Sequence, residues 1–344
     1  MADRNEDIAR FLARSGWGNA DRAPLAGDAS NRRYLRLSLD GSGTGILMDA
    51  PPEKGENVTP FVAIARYLGD LGLSPPRVLA ADEEKGLLLL EDLGDDLFAR
   101  VLEREPSLET PLYEAATDLL ARLHEAQPPS ELPAYDAALM TELAALSFDW
   151  YLKGATGDAG ADARQAFCAV LEPLLQAYCP ALDVLVQRDY HAENLLWLPG
   201  RDGTARVGLL DFQDALRGHR AYDLVSLLQD ARRDVGDGVE GAMIARYIES
   251  TGQDADQFTT AYRLLGVQRN LRIVGVFARL CIRDGKPGYL ALMPRVWNHL
   301  QADLAHHGAH DDFAPLRAAL DILPAPEPHI IERIKAQCAT YPTP

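Results

Sequence analysis

The sequence predicts an α+β protein, a small antiparallel sheet carrying one helix and then a larger, mainly helical region with one hairpin set into it. Three observations lead there. Period-two alternation of apolar and polar residues is concentrated in residues 20–91. Beyond them, apolar residues recur at helical spacing over 221–232, 238–250, 256–283 and 294–306. Between these regimes, LLWL, a PGRDG turn and RVGLLDF read as one short β-ribbon. The expected division is 1–91 for a first lobe and 92–344 for a second.

Taken in order, residues 6–15 place Ile8, Phe11 and Leu12 on one helical face. In YLRLSLDGSG, Leu35, Leu37 and Leu39 alternate with polar neighbours, giving a strand that ends in a glycine turn, with GILMDAP as its hairpin partner. Thr59-Pro60 predicts a helix N-cap and a first-turn proline, followed by Phe61, Ile64, Ala65 and Leu68 on one face and a stop at Gly69 or Gly72. RVLAAD and GLLLLEDLG form a second hairpin around EEKG, and Leu90 to Leu93 lead onward from the first lobe. Thr110-Pro111 opens a helix with Leu112, Leu119 and Leu123 inward that stops before Pro128-Pro129. QPPSELP is a stiff connector, GATGDAG a loop, and 162–178 a helix. Gly285 and Pro287 break the helices near the end.

The chain has 344 residues, 47% hydrophobic and 25% charged, with 34 basic against 51 acidic residues and a net charge of −17. Nucleic acid and anionic membrane surfaces need a positive field, so neither is an expected partner. A single basic pocket still suffices for a small anion. No run approaches the ~18 apolar residues of a membrane span. The N-terminal stretch is too charged for a signal peptide, and four cysteines without CxxC spacing read as reduced thiols. A cytoplasmic protein, monomeric or weakly dimeric, is expected.

The chemistry concentrates in VQRDYHAENLLW, residues 186–197. Asp189 and Asn194 lie five apart, and Asp211 follows at the far end of the next hairpin. Two strands joined by a turn return the chain to its starting edge, so Asn194 and Asp211 should sit near each other, beside Asp189. Amide and carboxylate oxygens suit a hard cation such as Mg2+, which takes its remaining ligands from water and phosphate. A further carboxylate orients a hydroxyl and accepts its proton. Phosphoryl transfer needs this set of parts.

With these motifs the sequence resembles the protein-kinase-like fold, a two-lobe fold with a small antiparallel-sheet N-lobe and a larger mainly helical C-lobe, and within it the aminoglycoside phosphotransferase family. RDYHAEN resembles the family's catalytic loop, LLDFQDA its metal-binding segment, and GHRAYDL the segment whose Asp223 would brace the catalytic loop. GDASNRRYLRL, ILMDAPPE, LLLLEDLGDDLF and QRDYHAENLLWL resemble the bacterial kinases that phosphorylate N-acetylmuramate and N-acetylglucosamine at the anomeric hydroxyl in peptidoglycan recycling. The resemblance implies ATP and Mg2+, with Asp189 as the base and Asn194 and Asp211 as metal ligands. Gly27, Ser30, Asn31, Arg32, Arg33 and Glu91 would meet the nucleotide, and His191, Gln213 and Arg272 the sugar.

Three departures stand out. The family's strand lysine is replaced by Met48, and a thioether cannot neutralise phosphate; Arg32 or Arg33, with Lys54 as a third candidate, is the expected substitute. GDASNRRY is also not a GxGxxG loop, and Gln187 stands where many kinases have His. Near the C-terminus, Arg263, Arg269, Arg272, Arg279 and Arg283 follow one another in a largely apolar helix, where each needs a partner. An internal acid or an acceptor carboxylate would serve. Trp150, Tyr289 and Trp297 suit either a core or a sugar face; His124 reads as a helix-end histidine and Asp214 as an aid to the metal or a hold on the loop. Competing expectations are the same fold acting on an aminoglycoside, choline or homoserine, or a nucleotide-binding pseudokinase. A metal hydrolase would want a denser ligand set.

Overall fold

The computed structural model describes residues 4–25, 31–41, 43–306 and 311–339. In chain order the regular elements are α1 (Arg4–Arg14), β1 (Asp21–Pro24), β2 (Arg33–Leu39), β3 (Gly43–Asp49), α2 (Thr59–Asp70), β4 (Val78–Asp82) and β5 (Leu87–Glu91). Then come α3 (Phe98–Arg104), α4 (Glu109–Leu123), α5 (Ala137–Ala144), a π-helix (Ser147–Leu152), α6 (Lys153–Thr156) and α7 (Ala161–Tyr178). Strands β6 (Val184–Val186), β7 (Leu195–Trp197), β8 (Val207–Leu209) and β9 (Leu216–Gly218) precede α8 (Tyr222–Leu228), α9 (Val239–Thr251), α10 (Ala255–Ile282), α11 (Met293–Leu304), α12 (Ala314–Leu320) and α13 (Pro328–Lys335). The chain forms two compact units. One comprises the residues up to Leu119 with Ala192–Ala215, the other Leu120–His191 with the residues from Leu216 on.

The first unit is built on an antiparallel sheet ordered β1-β2-β3-β5-β4. Alternation gives its strands two faces. Leu37, Leu47, Leu87 and Leu89 share one, which is closed by Ile8, Phe11 and Leu12 of α1. Tyr34 opposite Met48, and Arg36 opposite Ile46, mark the other. The β4–β5 turn needs Gly86, whose φ is +61° and whose missing Cβ would stand 1.9 Å from the Ala50 carbonyl oxygen. Thr59 proves to be the first helical residue of α2 and not its cap; the Asn57 side chain accepts from the Thr59 N–H at 3.0 Å. The β7–β8 ribbon joins this unit through the Leu209 N–H donating to the Ser74 carbonyl at 2.9 Å.

The second unit is organised by α10, 28 residues long. Val274, Phe277, Ala278, Cys281 and Ile282 pack with Tyr151, Met293, Val296, Ile330 and Ile334 into one core. Gly275 lets the π-helix approach, since a Cβ there would lie 2.3 Å from the Leu146 carbonyl carbon and 2.5 Å from the Ser147 nitrogen. Strands β6 and β9 pair through Val184–Gly218, Leu185–Arg217 and Val186–Leu216, holding the start of the 187–191 segment against the segment that leads to α8. All four cysteines are free. Among the described residues, no helix is long and apolar enough to cross a membrane.

Candidate active site

In the helical unit, β6 ends at Val186 and the chain turns into Gln187, Arg188 and Asp189. Arg188 takes φ +73°, a left-handed conformation that costs a side-chain-bearing residue free energy and persists only when its surroundings enforce it. Asp223 does so. Its carboxylate is fully buried and accepts from the Gln187 N–H at 2.7 Å and from the Arg188 N–H at 2.9 Å. Burial pushes Asp223 up to about 7, against the pull of those two N–H groups and with a further push from the charge on Asp189. Asp189 itself is half-buried.

His191 lies deeper in the same segment, 6% exposed. Burial lowers its pKa to about 4, with Asp230 opposing and Arg232 reinforcing the fall, so the ring is neutral near pH 7. Arg272 donates to the Tyr222 hydroxyl at 3.3 Å and feels the charge on Asp189. Tyr222 also accepts from the Tyr135 hydroxyl at 3.1 Å, and the Arg188 guanidinium lies over the Tyr135 ring at 5.7 Å. Asp189, Arg188, Arg272 and the two tyrosines thus form one electrostatic group.

In the sheet-bearing unit, β7 and β8 pair Leu195 with Leu209, and the Leu210 N–H donates to the Asn194 carbonyl at 3.0 Å. Asn194 and Leu210 therefore face each other at the ribbon's end, and Asp211 follows with φ +56°. The ribbon brings Asn194 and Asp211 together, as their spacing predicts. Asp211 Oδ1 accepts from Gln213 Nε2 at 2.7 Å, which ties the predicted sugar contact to the predicted metal ligand. Among the described residues no group of three or more His, Cys, Asp or Glu side chains is arranged to hold a metal by itself. One carboxylate and one amide oxygen fit a hard ion that draws its other ligands from phosphate and water.

The nucleotide-facing expectations fare unevenly. Gly27 and Ser30 lie outside the described residues. Asn31 donates through Nδ2 to the Lys54 carbonyl at 3.3 Å and through its backbone N–H to Glu56 at 3.0 Å. Arg32 pairs with Glu56 at 2.8 Å, and Arg33 pairs with Asp49, which also takes Arg4. Glu91 is held by Arg77 at 3.1 Å and Arg201 at 2.8 Å. Met48 is buried. A cation that sequence reading passed over shares its sheet face: Arg36, in β2, binds Asp92 at 2.8 Å and Asp95 at 2.7 Å. The signal was available, since Arg36 alternates in phase with Tyr34, the cross-strand partner of Met48.

Of the other residues singled out, His124 is buried and its Nδ1 sits 2.6 Å from the Tyr247 hydroxyl, a structural histidine. Tyr289 packs on Phe277 at 5.3 Å and Trp297 on Tyr151 at 6.1 Å, both at the edge of the helical core with Trp150. Arg263 has the expected internal acids, Glu240 at 2.9 Å and Asp303 at 3.0 Å. Arg269 does not; it donates to the Ser226 hydroxyl and the Gln229 carbonyl.

The chain is 39% identical over 340 residues to an N-acetylmuramate/N-acetylglucosamine kinase of Caulobacter vibrioides, covering 88% of this chain and 93% of the relative. It is 35% identical to the protein of the same name from Pseudomonas aeruginosa, covering 91% and 93%. Among solved structures it resembles the ADP-bound aminoglycoside phosphotransferase APH(2'')-Ib, with a TM-score of 0.58 at 12% identity, covering 87% of this chain and 97% of that one. The fold is therefore the protein-kinase-like one. The model of the phosphotransferase enzyme family matches residues 21–259, so the chain belongs to that family.

Proposed function

We propose that this protein is an ATP-dependent sugar kinase that transfers the γ-phosphate to the anomeric hydroxyl of N-acetylmuramate or N-acetylglucosamine. The observation that carries this reading is the 39% identity, over nearly the whole chain, to a relative named for that activity. The braced loop supplies the chemistry. Asp223 fixes the backbone before Asp189, and the Asp189 carboxylate accepts the proton as the sugar oxygen attacks phosphorus and ADP leaves. Asn194 and Asp211 would hold Mg2+, which when bound neutralises phosphate charge. Asn31, with Gly27 and Ser30, would line the phosphates. Arg32 or Arg33 would replace the missing lysine, exchanging its present acid for phosphate, and Arg36 joins them as a candidate. Such an enzyme works in the cytoplasm, where its nucleotide is, as a monomer or weak dimer without nucleic-acid or membrane partners.

The test is ADP release measured across a panel of N-acetylmuramate, N-acetylglucosamine, choline, homoserine and an aminoglycoside. Turnover is expected with the amino sugars. Asp189→Asn should lower kcat by about 10²- to 10⁴-fold while nucleotide binding persists. Turnover with choline or an aminoglycoside alone, or undiminished turnover in D189N, would refute the reading.

A further inference from the structure

Within the helical unit, five arginines lie along α10 or just beyond its end. Arg263, Arg269, Arg272 and Arg283 all have partners, respectively Glu240 and Asp303, Ser226 and the Gln229 carbonyl, the Tyr222 hydroxyl, and Asp284. Arg279 differs. Among the described residues its guanidinium makes no hydrogen bond or ion pair, and its Nε is sealed from solvent without a partner. Burial lowers its pKa, Arg283 and Arg272 lower it further, and Asp284 opposes them. A guanidinium does not give up its proton in a protein. The fold therefore holds a half-buried guanidinium near two others, opposed by the charge on Asp284 but with no hydrogen-bonded anion among the described residues.

The position of Arg279 identifies the anion. Arg272 and Arg279 are two helical turns apart on one face of α10, about 10 Å along the axis. Arg272 stands within electrostatic reach of Asp189, and Arg279 within reach of Arg272. Arg279 thus lies two turns beyond Arg272, the arginine that feels the charge on Asp189, on the same face of α10.

We propose that Arg279, flanked by Arg272, is the seat for a carboxylate carried by the acceptor, and that it sets the preference for an acidic over a neutral amino sugar. This rests on the reading of Asp189 as the base. N-acetylmuramate bears a lactyl carboxylate and N-acetylglucosamine does not. A planar guanidinium takes a carboxylate through two parallel N–H bonds, which accounts for an arginine where a lysine would give only a point charge.

The experiment is a comparison of Arg279→Gln and Arg279→Lys with the parent, reading kcat and KM for both sugars, KM for ATP, and the melting temperature of the unliganded protein. In R279Q the loss of kcat/KM on N-acetylmuramate should exceed the loss on N-acetylglucosamine by about 10- to 100-fold, mostly through KM, with partial recovery in R279K. The unliganded variant should melt no lower than the parent, because it sheds an uncompensated charge. Equal losses on both sugars overturn the proposal, and if they come with a raised KM for ATP the arginine serves phosphate. A melting temperature several degrees lower overturns it too, marking a structural role. If the parent phosphorylates neither sugar, the proposed reaction fails first. Calorimetry with the parent, ADP and Mg2+ then still tests the seat, which falls unless N-acetylmuramate binds more tightly than N-acetylglucosamine.

Discussion

At the scale of single residues, the proposed role of Asp223 is exerted through backbone. Its two oxygens hold the N–H groups of Gln187 and Arg188, and Arg188 could not otherwise keep φ +73°. Asp223→Asn leaves one acceptor oxygen and turns an NH2 toward a buried N–H. A buried donor left unmet costs about 1–3 kcal/mol. We expect an unfolding free energy from urea titration lowered by that amount and kcat reduced at least tenfold, with KM for ATP nearly unchanged. Unchanged kcat in a stably folded D223N would remove Asp223 from the positioning of Asp189. The residues with fixed sequence spacing were the legible ones. Asp189, Asn194 and Asp211 fall in short segments whose spacing suggests the roles proposed for them, and the resemblance to the family adds Asp223. Arg36 was not legible as a site residue, because what distinguishes it is a sheet face; Arg279 was legible only as one of five helix arginines open to an internal acid or an acceptor carboxylate, and the missing partner that singles it out is a property of the folded chain.

At the scale of elements, α10 shows why one glycine is needed and another is not. A Cβ on Gly275 would press on the backbone of Leu146 and Ser147, atoms that cannot rotate aside. Gly241, near the start of α9, has nothing within 4 Å of the same position. Alanine gains about 0.8–1 kcal/mol over glycine inside a helix. At Gly241 that gain should appear almost whole. At Gly275 overpacking of about 1–3 kcal/mol or more outweighs it. Equilibrium unfolding of G241A and G275A should therefore give shifts of opposite sign, and a stabilised G275A would mean that the π-helix can withdraw without cost. The elements that sequence made visible include α1, α2, α4, α7 to α11, and the β2–β3, β4–β5 and β7–β8 hairpins. Those it missed lack a sustained period. Strand β1 is exposed at all four positions, so no alternation marks it. Strands β6 and β9 are three residues each and pair across the intervening hairpin. The π-helix differs from an α-helix only in hydrogen-bond step, which composition does not record.

At the scale of the whole molecule, buried titratable groups make stability depend on pH in two opposed ways. His124, His191 and His219 are driven to about 3, 4 and 4, with burial the largest cause in each case. An unfolded histidine titrates near ~6.5. As pH falls from about 6.5 toward 4, the unfolded chain binds protons that the folded chain refuses. The stability these three lend is full above that window and lost on acidification. Asp223 and Asp303 act in reverse. Burial lifts both to about 7, in Asp303 against the attraction of Arg263, while unfolded aspartate titrates near ~3.9. The folded chain keeps protons that the unfolded chain has released, so their contribution is full below ~3.9 and lost as pH rises through 7. Between pH 7 and pH 5 the loss from these three histidines exceeds the gain from the two carboxyls by only about 1 kcal/mol, so removing one histidine should reverse their balance. His124→Gln keeps a polar group opposite Tyr247 and cannot take up a proton. A lone histidine with these two pKa values accounts for about 2 kcal/mol between pH 7 and pH 5. Urea midpoints at pH 5, 6 and 7 should show H124Q losing less stability than the parent by about that amount, whatever its stability at pH 7. If both proteins lose stability equally, His124 is protonated within the fold, and its contact with the Tyr247 hydroxyl then joins a cation to a neutral acceptor.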